Sequence, residues 1–239
     1  MKIALIGYGK MGKAIEQIAI EKGHTISLKI DIDNAADLNA ENIKDIDVAI
    51  EFTGPHSAVN NLFKCFELGI PVVCGSTGWL ASWNDVKKEC DAKNGTLVYA
   101  SNYSIGVNLF FEINKQLAKL MNSYPDYDVS MKEIHHTAKK DAPSGTAITL
   151  AEQVIASLDR KIDWELGSRE IEANKIAITA ERIDPAPGTH HVLYHSLVDD
   201  IEIIHTAHNR TGFAGGAVKA AEFAVGKKGI FSMKEVLGF

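Results

Sequence analysis

The sequence is poor in cysteine. Three cysteines occur among 239 residues, at positions 65, 74 and 90, and no two of them have CxxC spacing. An odd number without that spacing excludes a paired disulfide framework and disfavours a zinc ribbon. We therefore expect Cys65, Cys74 and Cys90 to be reduced thiols.

Clustered positive charge and long apolar runs are absent from the sequence as well. The net charge is −6 and no basic run occurs, so the electrostatic footprint of a nucleic-acid-binding protein is missing. No stretch has the roughly 18 uninterrupted apolar residues of a membrane span. The first residues have the pattern of a core strand instead of a signal peptide. We expect a cytoplasmic enzyme with neither nucleic acid nor membrane as partner.

The N-terminal segment has the pattern of a dinucleotide-binding unit. An apolar strand over 2–6 precedes Gly7-Tyr-Gly-Lys-Met-Gly12 and a helix that runs to about Glu21. Glycines at these places permit the tight turn, the approach of a pyrophosphate and the packing of the helix. A second strand over 25–30 leads to Asp31, where the fingerprint has an acid for the adenosine ribose. An acid there without a following Arg favours NADH, or both NADH and NADPH, over strict dependence on NADPH.

Strands and helices alternate through the first hundred residues. Further strands are predicted near 47–52, 72–74 and 97–99, with helices near 57–68 and 83–92. This alternation indicates a parallel sheet, and such sheets bind ligands beyond the carboxyl ends of their strands. The predicted cofactor-binding residues are Gly7, Tyr8, Gly9, Lys10, Met11, Gly12, Asp31, Thr53, Gly75, Ser76, Thr77, Ala100, Ser101, Asn102 and Tyr103.

The pattern changes near residue 105. Helices are predicted over 109–121 and up to about 158, among strand-like segments at 127–134, 175–179, 191–195 and 200–205. Closely spaced strands with short turns indicate a mixed or antiparallel sheet with helices on one face. The predicted class is α/β, with a Rossmann-like dinucleotide-binding domain over 1–104 and 207–239 and an α+β substrate-binding domain over 105–206.

The segment Glu133-Ile-His-His-Thr-Ala-Lys-Lys-Asp-Ala-Pro-Ser-Gly-Thr146 concentrates groups for proton transfer and anion binding. The predicted strand 127–134 ends just before His135 and His136, which places that pair on a loop. Apolar residues recur with helical period after Thr146, so Gly145-Thr146 lies at a helix N-terminus, where amide groups bind a carboxylate or phosphate. The alternative is a solvated polar loop, but the whole segment favours an active site for an anionic substrate.

Further histidines raise the alternative of a metal site. They are His190, His191, His195, His205 and His208. On a strand His191 and His195 share one face and His190 points to the other, so only some of them can share a site. Ordinary sheet-face or interface histidines are favoured, and no metal is predicted.

Six motifs are spread over the length of the chain. They are Gly7-Tyr-Gly-Lys-Met-Gly12, Phe52-Thr-Gly-Pro55, Gly75-Ser-Thr-Gly78, Ser101-Asn-Tyr-Ser-Ile-Gly-Val-Asn108, Glu133-Ile-His-His-Thr-Ala-Lys-Lys-Asp-Ala-Pro-Ser-Gly-Thr-Ala147 and Arg210-Thr-Gly-Phe213. With these motifs the sequence resembles the 4-hydroxy-tetrahydrodipicolinate reductase family, formerly called dihydrodipicolinate reductases. The fifth motif is the most specific of the six.

The resemblance implies that NADH, NADPH or both reduce a cyclic dicarboxylate, 4-hydroxy-tetrahydrodipicolinate, with loss of water, in diaminopimelate and lysine synthesis. It implies acid–base roles for His135 and Lys139, and a pocket near His190 and His205. The residues that it implies for substrate binding are His136, Lys139, Ser144, Gly145 and Thr146. It also implies a homotetramer formed through the second domain's sheet. Which of His135 and Lys139 delivers the proton stays open.

Three positions depart from the family pattern. The glycine loop is one residue shorter than the usual GxxGxxG, and Thr137 and Ile32 stand where basic residues are common. Ile32 follows the ribose acid and bears on the choice between NADH and NADPH. Two other classes stay open: another NAD(P)-dependent oxidoreductase that acts on an amino-acid-like carboxylate, and a non-catalytic nucleotide sensor. Neither requires His-His-x-x-Lys followed by Ser-Gly-Thr.

Overall fold

The computed structural model describes residues 1–167, 172–209 and 211–239. Arg210, part of the sixth motif, lies outside them. Their contacts divide the chain into two compact units, one formed by Met1–Ile105 with Thr211–Phe239 and the other by Gly106–Arg210. Within the described ranges, no helix combines the length and the apolar character needed to cross a membrane.

The helices and strands follow one another in a largely alternating order. They are β1 (Lys2–Ile6), α1 (Lys10–Glu21), β2 (Thr25–Ile30), α2 (Ala40–Ile43), β3 (Val48–Glu51), α3 (Ala58–Glu67), β4 (Val72–Cys74), α4 (Trp83–Ala92), β5 (Thr96–Tyr99), α5 (Ile105–Met121), β6 (Asp128–His135), α6 (Gly145–Ile155), β7 (Asp163–Leu166), β8 (Lys175–Arg182), β9 (Gly188–His195), β10 (Asp200–Ala207), α7 (Thr211–Ala224), β11 (Gly229–Phe231) and α8 (Met233–Leu237).

The first unit is built on a six-stranded sheet with the order β11-β5-β4-β3-β1-β2, and its strand pairs are parallel. Parallel sheets are covered on both faces, so their strands are apolar along their whole length. In β1, Ile3 and Leu5 join the core cluster that contains α7, whereas Ala4 and Ile6 join the cluster that contains α3 and α4. The carboxyl ends of the central strands therefore lie at one edge of a rigid, doubly covered sheet.

A close helix contact supports the loop after β5. A side chain at Gly216 of α7 would place its Cβ 1.7 Å from the carbonyl oxygen of Tyr103. Only glycine leaves room for that approach, so α7 packs directly on the backbone of the loop.

The second unit has a five-stranded mixed sheet with the order β10-β9-β6-β8-β7. Strand β9 pairs with β6 and β10 in antiparallel fashion, and β8 pairs with β6 and β7 in parallel. In β6, Val129 and Met131 pack with Phe110 of α5 and Leu150 of α6. Because side chains alternate along a strand, Glu133 and His135 face the same helix-covered side. The predicted α/β class, with a Rossmann-like parallel sheet and a mixed second sheet, is confirmed.

Several element boundaries differ from the expectations. Helix α5 begins at Ile105, earlier than the predicted 109, and α2, α8, β7 and β11 were not predicted. Strand β6 includes His135, which the sequence analysis had placed on the following loop. His135 pairs with Arg182 of β8, and this pairing extends β6 by one residue.

Candidate active site

The glycine loop between β1 and α1 brings backbone close to backbone. Gly7 has φ +93°, and a Cβ there would lie 2.2 Å from the carbonyl oxygen of Phe52. A Cβ at Gly12 would lie 2.4 Å from the carbonyl oxygen of Gly7, whereas at Gly9 it would meet no described atom within 4 Å. The loop is thus packed on one side and open on the other, which fits the approach of a dinucleotide pyrophosphate.

A cavity of about 380 Å³ adjoins this loop. Four predicted residues line it, namely Gly7, Gly9, Asp31 and Thr53. Ile32, which bears on the choice of cofactor, lines it too, and so do His56 and Asn61, to which the sequence analysis gave no role. The cavity lies beyond the carboxyl ends of β1, β2 and β3, where an open α/β sheet binds its ligand.

Asp31 is held in a fixed orientation at the edge of this cavity. Its Oδ1 accepts a hydrogen bond from the amide of Ile32 at 2.9 Å, and its own amide donates to Asn34 Oδ1 at 2.7 Å. This reciprocal pair caps the short turn Ile32–Asp37. The carboxylate is therefore preorganised for an acceptor role toward hydroxyl groups.

Glu51 is a buried acid whose role the sequence analysis missed. Its Oε1 accepts from the amide of Thr53 at 3.1 Å, and its Oε2 accepts from the thiol of Cys74 at 3.1 Å. The Thr53 amide also donates to Ser76 Oγ at 2.8 Å. Burial and the neighbouring carboxylate raise the pKa of the Cys74 thiol, which stays protonated as a donor. Glu51 thus joins the ends of β3 and β4, and an acid that ends an apolar strand was the available signal.

The other predicted cofactor residues lie around the same loops with different degrees of exposure. Lys10 begins α1 and is exposed, and Tyr8 and Met11 pack partly against the core. Tyr8 donates its hydroxyl hydrogen bond to Glu16. A Cβ at Gly75 would lie 2.1 Å from the ring of Phe52, so this turn requires glycine.

The predicted cofactor residues after β4 and β5 differ in exposure. Thr77 and Ser101 are exposed, Ala100 is half-buried, and Asn102 Oδ1 accepts from the amide of Ser104. Tyr103, in contrast, is 1% exposed, and its hydroxyl donates to the carbonyl oxygens of Cys74 and Val98, each at 2.9 Å. Its side chain supports the loop from inside the core, so the predicted contact of Tyr103 with the cofactor stays a prediction for its backbone.

In the second unit, a buried carboxylate lies beside His135. Glu133 is 0% exposed and His135 8%. Glu133 Oε1 accepts from Arg182 Nη2 at 3.1 Å, and Oε2 accepts from the amide of Ser144 at 3.0 Å. His135 Nδ1 lies 3.5 Å from Oε2. The sequence analysis assigned roles to His135 and Ser144 and missed Glu133 and Arg182, because their roles depend on contacts between distant strands.

His190 of β9 completes this buried cluster. Its ring centroid lies 5.2 Å from that of His135, and its Nε2 lies 3.1 Å from Ser144 Oγ. Burial lowers the pKa of His190 to about 3, with His135 adding to the effect, so the ring is neutral at neutral pH. Burial also lowers the pKa of His135, and Glu133 opposes that shift.

Helix α6 begins where the predicted anion site was placed. Ser144 is its N-cap, since its Oγ accepts from the amide of Ala147 at 3.2 Å. Ser144 is 3% exposed and its hydroxyl is shared between the cap and His190, so its contact with substrate stays a prediction. The backbone amides of Gly145 and Thr146, in the first turn of α6, precede the capped amide of Ala147 and remain suited to binding an anion.

Lys139 lies on the loop between β6 and α6 and has an acidic partner. Its Nζ donates to both carboxylate oxygens of Asp141, at 2.8 and 2.7 Å, and Lys139 lowers the pKa of that carboxyl. Arg182 donates to the carbonyl oxygens of Lys139 and Asp141, at 3.3 and 2.6 Å. The amide of Thr137 donates to Asp184 at 3.0 Å. The loop that carries half-buried His136 is therefore held at several points.

Glu133, His135 and His190 offer donor atoms within 4.8 Å of one another, an arrangement that resembles a metal site. The carboxylate already binds the guanidinium of Arg182 and the amide of Ser144. A metal ion would have to displace the Arg182 guanidinium from the Glu133 carboxylate, so we assign no metal to this cluster.

Comparisons with known proteins agree with these features. Residues 1–103 match the family described as dihydrodipicolinate reductase, N-terminus, and residues 106–237 match dihydrodipicolinate reductase, C-terminus. A 4-hydroxy-tetrahydrodipicolinate reductase from Christiangramia forsetii is 48% identical over 238 residues, which cover 99% of this chain and 98% of that protein. Another from Neisseria gonorrhoeae is 33% identical and covers 93% and 84%, respectively.

A solved structure extends the similarity to the fold. A dipicolinate-bound dihydrodipicolinate reductase from Paenisporosarcina sp. TG-14 has a TM-score of 0.77 and 21% identity, with 97% of each chain covered. The family models and the two relatives are reductases, so they define an oxidoreductase that uses a nicotinamide cofactor, and a glycine loop at the carboxyl end of a parallel sheet agrees with that class. Within this class, the chain belongs to the dihydrodipicolinate reductase family, and the resemblance seen in the sequence is confirmed.

Proposed function

We propose that this protein reduces 4-hydroxy-tetrahydrodipicolinate to tetrahydrodipicolinate, with loss of water, for the synthesis of diaminopimelate and lysine in the cytoplasm. The observation that carries the proposal is the 48% identity to the Christiangramia forsetii reductase over 99% of the chain. In this proposal the first unit binds the cofactor, and the second binds the substrate and forms the assembly contact.

The reaction needs a proton donor at the substrate ring. The bound nicotinamide cofactor supplies a hydride to a conjugated C=C–C=N system, and the charge that develops on the ring must be neutralised by a proton. His135 is the donor, because it lies at the end of a rigid strand and imidazole is the side chain best suited to proton transfer, with the Glu133 carboxylate opposing the lowering of its pKa by burial. Lys139, which holds an ion pair with Asp141, serves as the positive anchor.

The two substrate carboxylates bind to positive and amide groups of the second unit. Lys139 and His136 bind one carboxylate, and the amides of Gly145 and Thr146 at the N-terminus of α6 bind the other. A substrate carboxylate that reaches Lys139 takes the place of Asp141, which is exposed and can move into solvent.

NADH serves at least as well as NADPH in this proposal. Asp31 is a fixed carboxylate at the cavity, and the neighbouring Ile32 is 91% exposed and carries no charge. Lys29 is bound to Glu16 at 2.7 Å and lies over the ring of Tyr8. The charge of Lys29 is therefore paired with Glu16, and a 2′-phosphate would meet the carboxylate of Asp31.

A coupled assay tests the proposed function. Dihydrodipicolinate synthase forms the unstable substrate from pyruvate and aspartate semialdehyde, and loss of absorbance at the reduced nicotinamide band follows the reductase. We expect oxidation that depends on the synthase and is inhibited by pyridine-2,6-dicarboxylate, a planar analogue. If the folded protein binds NADH but oxidises it without need of the synthase and without inhibition by the analogue, the result would instead indicate another NAD(P)-dependent oxidoreductase.

The second unit also supports a homotetramer in this proposal. The sheet face opposite α5 and α6 carries Leu193 and Ile204, which is 52% exposed, beside the pairs Lys132–Glu181 and His191–Glu202. A mixed apolar and charged sheet face is suited to contact with a second copy. Light scattering after size exclusion is expected to give the mass of four chains. Ile204→Glu is expected to reduce this mass, whereas the control Leu120→Glu, at an exposed residue of α5, is expected to leave it unchanged. A single chain mass for the unaltered protein would contradict the tetramer.

A further inference from the structure

Glu133 is anchored on both carboxylate oxygens. Arg182 of β8 donates to Oε1 at 3.1 Å, and the amide of Ser144, the N-cap of α6, donates to Oε2 at 3.0 Å. The side chain is 0% exposed. Two donors from different elements therefore fix the position of a negative charge inside the unit.

The same Oε2 atom faces two imidazoles. It lies 3.5 Å from His135 Nδ1 and 3.8 Å from His190 Nε2. His190 Nε2 already pairs with Ser144 Oγ at 3.1 Å. His135 Nδ1 is buried and has no hydrogen-bond partner among the residues that the structure describes. A buried ring nitrogen needs a partner, and the Glu133 carboxylate, 3.5 Å away, is placed to accept from it.

We propose that Glu133 is the positioning residue for His135: it accepts the Nδ1 proton in a hydrogen bond and so leaves Nε2 as the atom that protonates the substrate. This inference rests on the proposed function. Hydride addition leaves an electron pair on the substrate ring. That pair forms a bond to the Nε2 proton, the N–H bond breaks, and His135 becomes neutral with Nδ1–H still directed at Glu133.

The space around Nε2 agrees with this role. A Cβ at Gly188 of β9 would come within 3.0 Å of His135 Nε2. Glycine at this position therefore keeps a side chain away from Nε2, whereas Nδ1 lies beside Glu133.

The charge of Glu133 opposes the effects of burial, Lys139, Arg182 and His136 on the pKa of His135. The groups that face this ring are Glu133 on β6, His136 and Lys139 on the following loop, Arg182 on β8 and His190 on β9. Burial lowers the pKa of His135 most, and Lys139, Arg182 and His136 lower it further, while Glu133 raises it. Removal of the carboxylate charge is thus expected to lower the pKa of His135 and to reduce the protonated fraction at neutral pH.

The first test compares kcat across pH in the wild type and Glu133→Gln. As the acid, His135 must carry a proton, so kcat falls as the pH rises through its pKa. We expect this fall to begin roughly one pH unit lower in Glu133→Gln, with about a tenfold loss of kcat at neutral pH. Glu165→Gln is the matched control, because this exposed β7 carboxylate pairs with Lys175 at 3.2 Å and is expected to leave the profile unchanged. A uniform loss of kcat with no displacement of the profile would contradict the proposal.

The second test needs neither turnover nor a substituted Glu133. Nitrogen-15 spectra of the histidine rings report which nitrogen of each neutral ring carries the proton. The His135 signal is assigned as the one that is missing in His135→Asn. The proposal predicts Nδ1, and a proton on Nε2 alone would overturn it. An Nδ1 proton in a protein that fails the coupled assay would leave this geometry standing and reject the proposed function instead.

Discussion

His135 and Lys139 lie four positions apart in the sequence, yet their surroundings differ. His135 ends a strand of the second sheet and is 8% exposed, whereas Lys139 lies on a loop and pairs with Asp141 at 2.7 Å. A proton donor requires fixed geometry, and an electrostatic anchor tolerates a more mobile position. This contrast supports the separate roles proposed for the two side chains.

Loss of either group is expected to be severe. We predict that His135→Asn and Lys139→Met each lower kcat at least about a hundredfold, as positioned acid–base and charge-stabilising groups do. The coupled assay measures the effect, and Lys140→Met serves as control because Lys140 is the exposed neighbour. Turnover within a few-fold of the wild type in either altered enzyme would refute the assigned role.

The preference for NADH or NADPH is also expected to depend on single residues. Ile32→Arg adds a positive charge beside the Asp31 carboxylate, where an adenosine 2′-phosphate is expected. We predict a gain of about tenfold in kcat/KM for NADPH, equivalent to about 1.4 kcal/mol. Ile20→Arg on α1, at a residue 56% exposed, controls for added charge. Equal gains in the two variants would argue against a local effect at the cavity.

The sequence identified residues whose chemistry is local and missed those whose role comes from distant contacts. The glycine loop and the segment from Glu133 to Thr146 were recognisable because their residue types are close together. Arg182 lies 49 positions after Glu133, and only the pairing of β6 with β8 brings them together. The commitment of Ser144 to His190 likewise depends on the pairing of β9 with β6.

At the scale of elements, long apolar strands and amphipathic helices were predictable. The short β7 and β11 were not, because four and three residues give too little alternation to separate a strand from a turn. The extension of β6 by one residue moved His135 from a loop to a strand. One residue at an element boundary therefore changed the expected rigidity of a candidate catalytic group.

His190 on strand β9 is expected to make the folded second unit less stable at acidic pH. Burial lowers the pKa of His190 to about 3, compared with about 6.5 in an unfolded chain. Between these values the unfolded chain binds a proton that the folded chain does not, so stability is retained above pH 6.5 or so and declines as the pH falls.

Urea unfolding at a series of pH values measures this sensitivity. We expect His190→Asn to lose less stability than the wild type between roughly pH 7 and 4.5, and exposed His208→Asn to behave like the wild type. The same loss of stability in His190→Asn and the wild type would show that another group governs the response to acid.

The whole molecule combines a parallel sheet that carries a glycine loop and a mixed sheet that carries the buried cluster of Glu133, His135 and His190, each with its own core. The sheet types could be predicted, because strands alternate with helices in the first hundred residues and the later strands are joined by short turns. The arrangement of charges inside the second unit could not, since it depends on register across β6, β8 and β9.

The most direct test of the central claim follows the hydride itself. The protein would be supplied with NADH that carries deuterium at the transferable position of the nicotinamide, together with the synthase and its two substrates. Mass spectrometry of the ring product is predicted to find one added deuterium, dependent on both enzymes. Cofactor oxidation without deuterium in tetrahydrodipicolinate would contradict the proposed reaction.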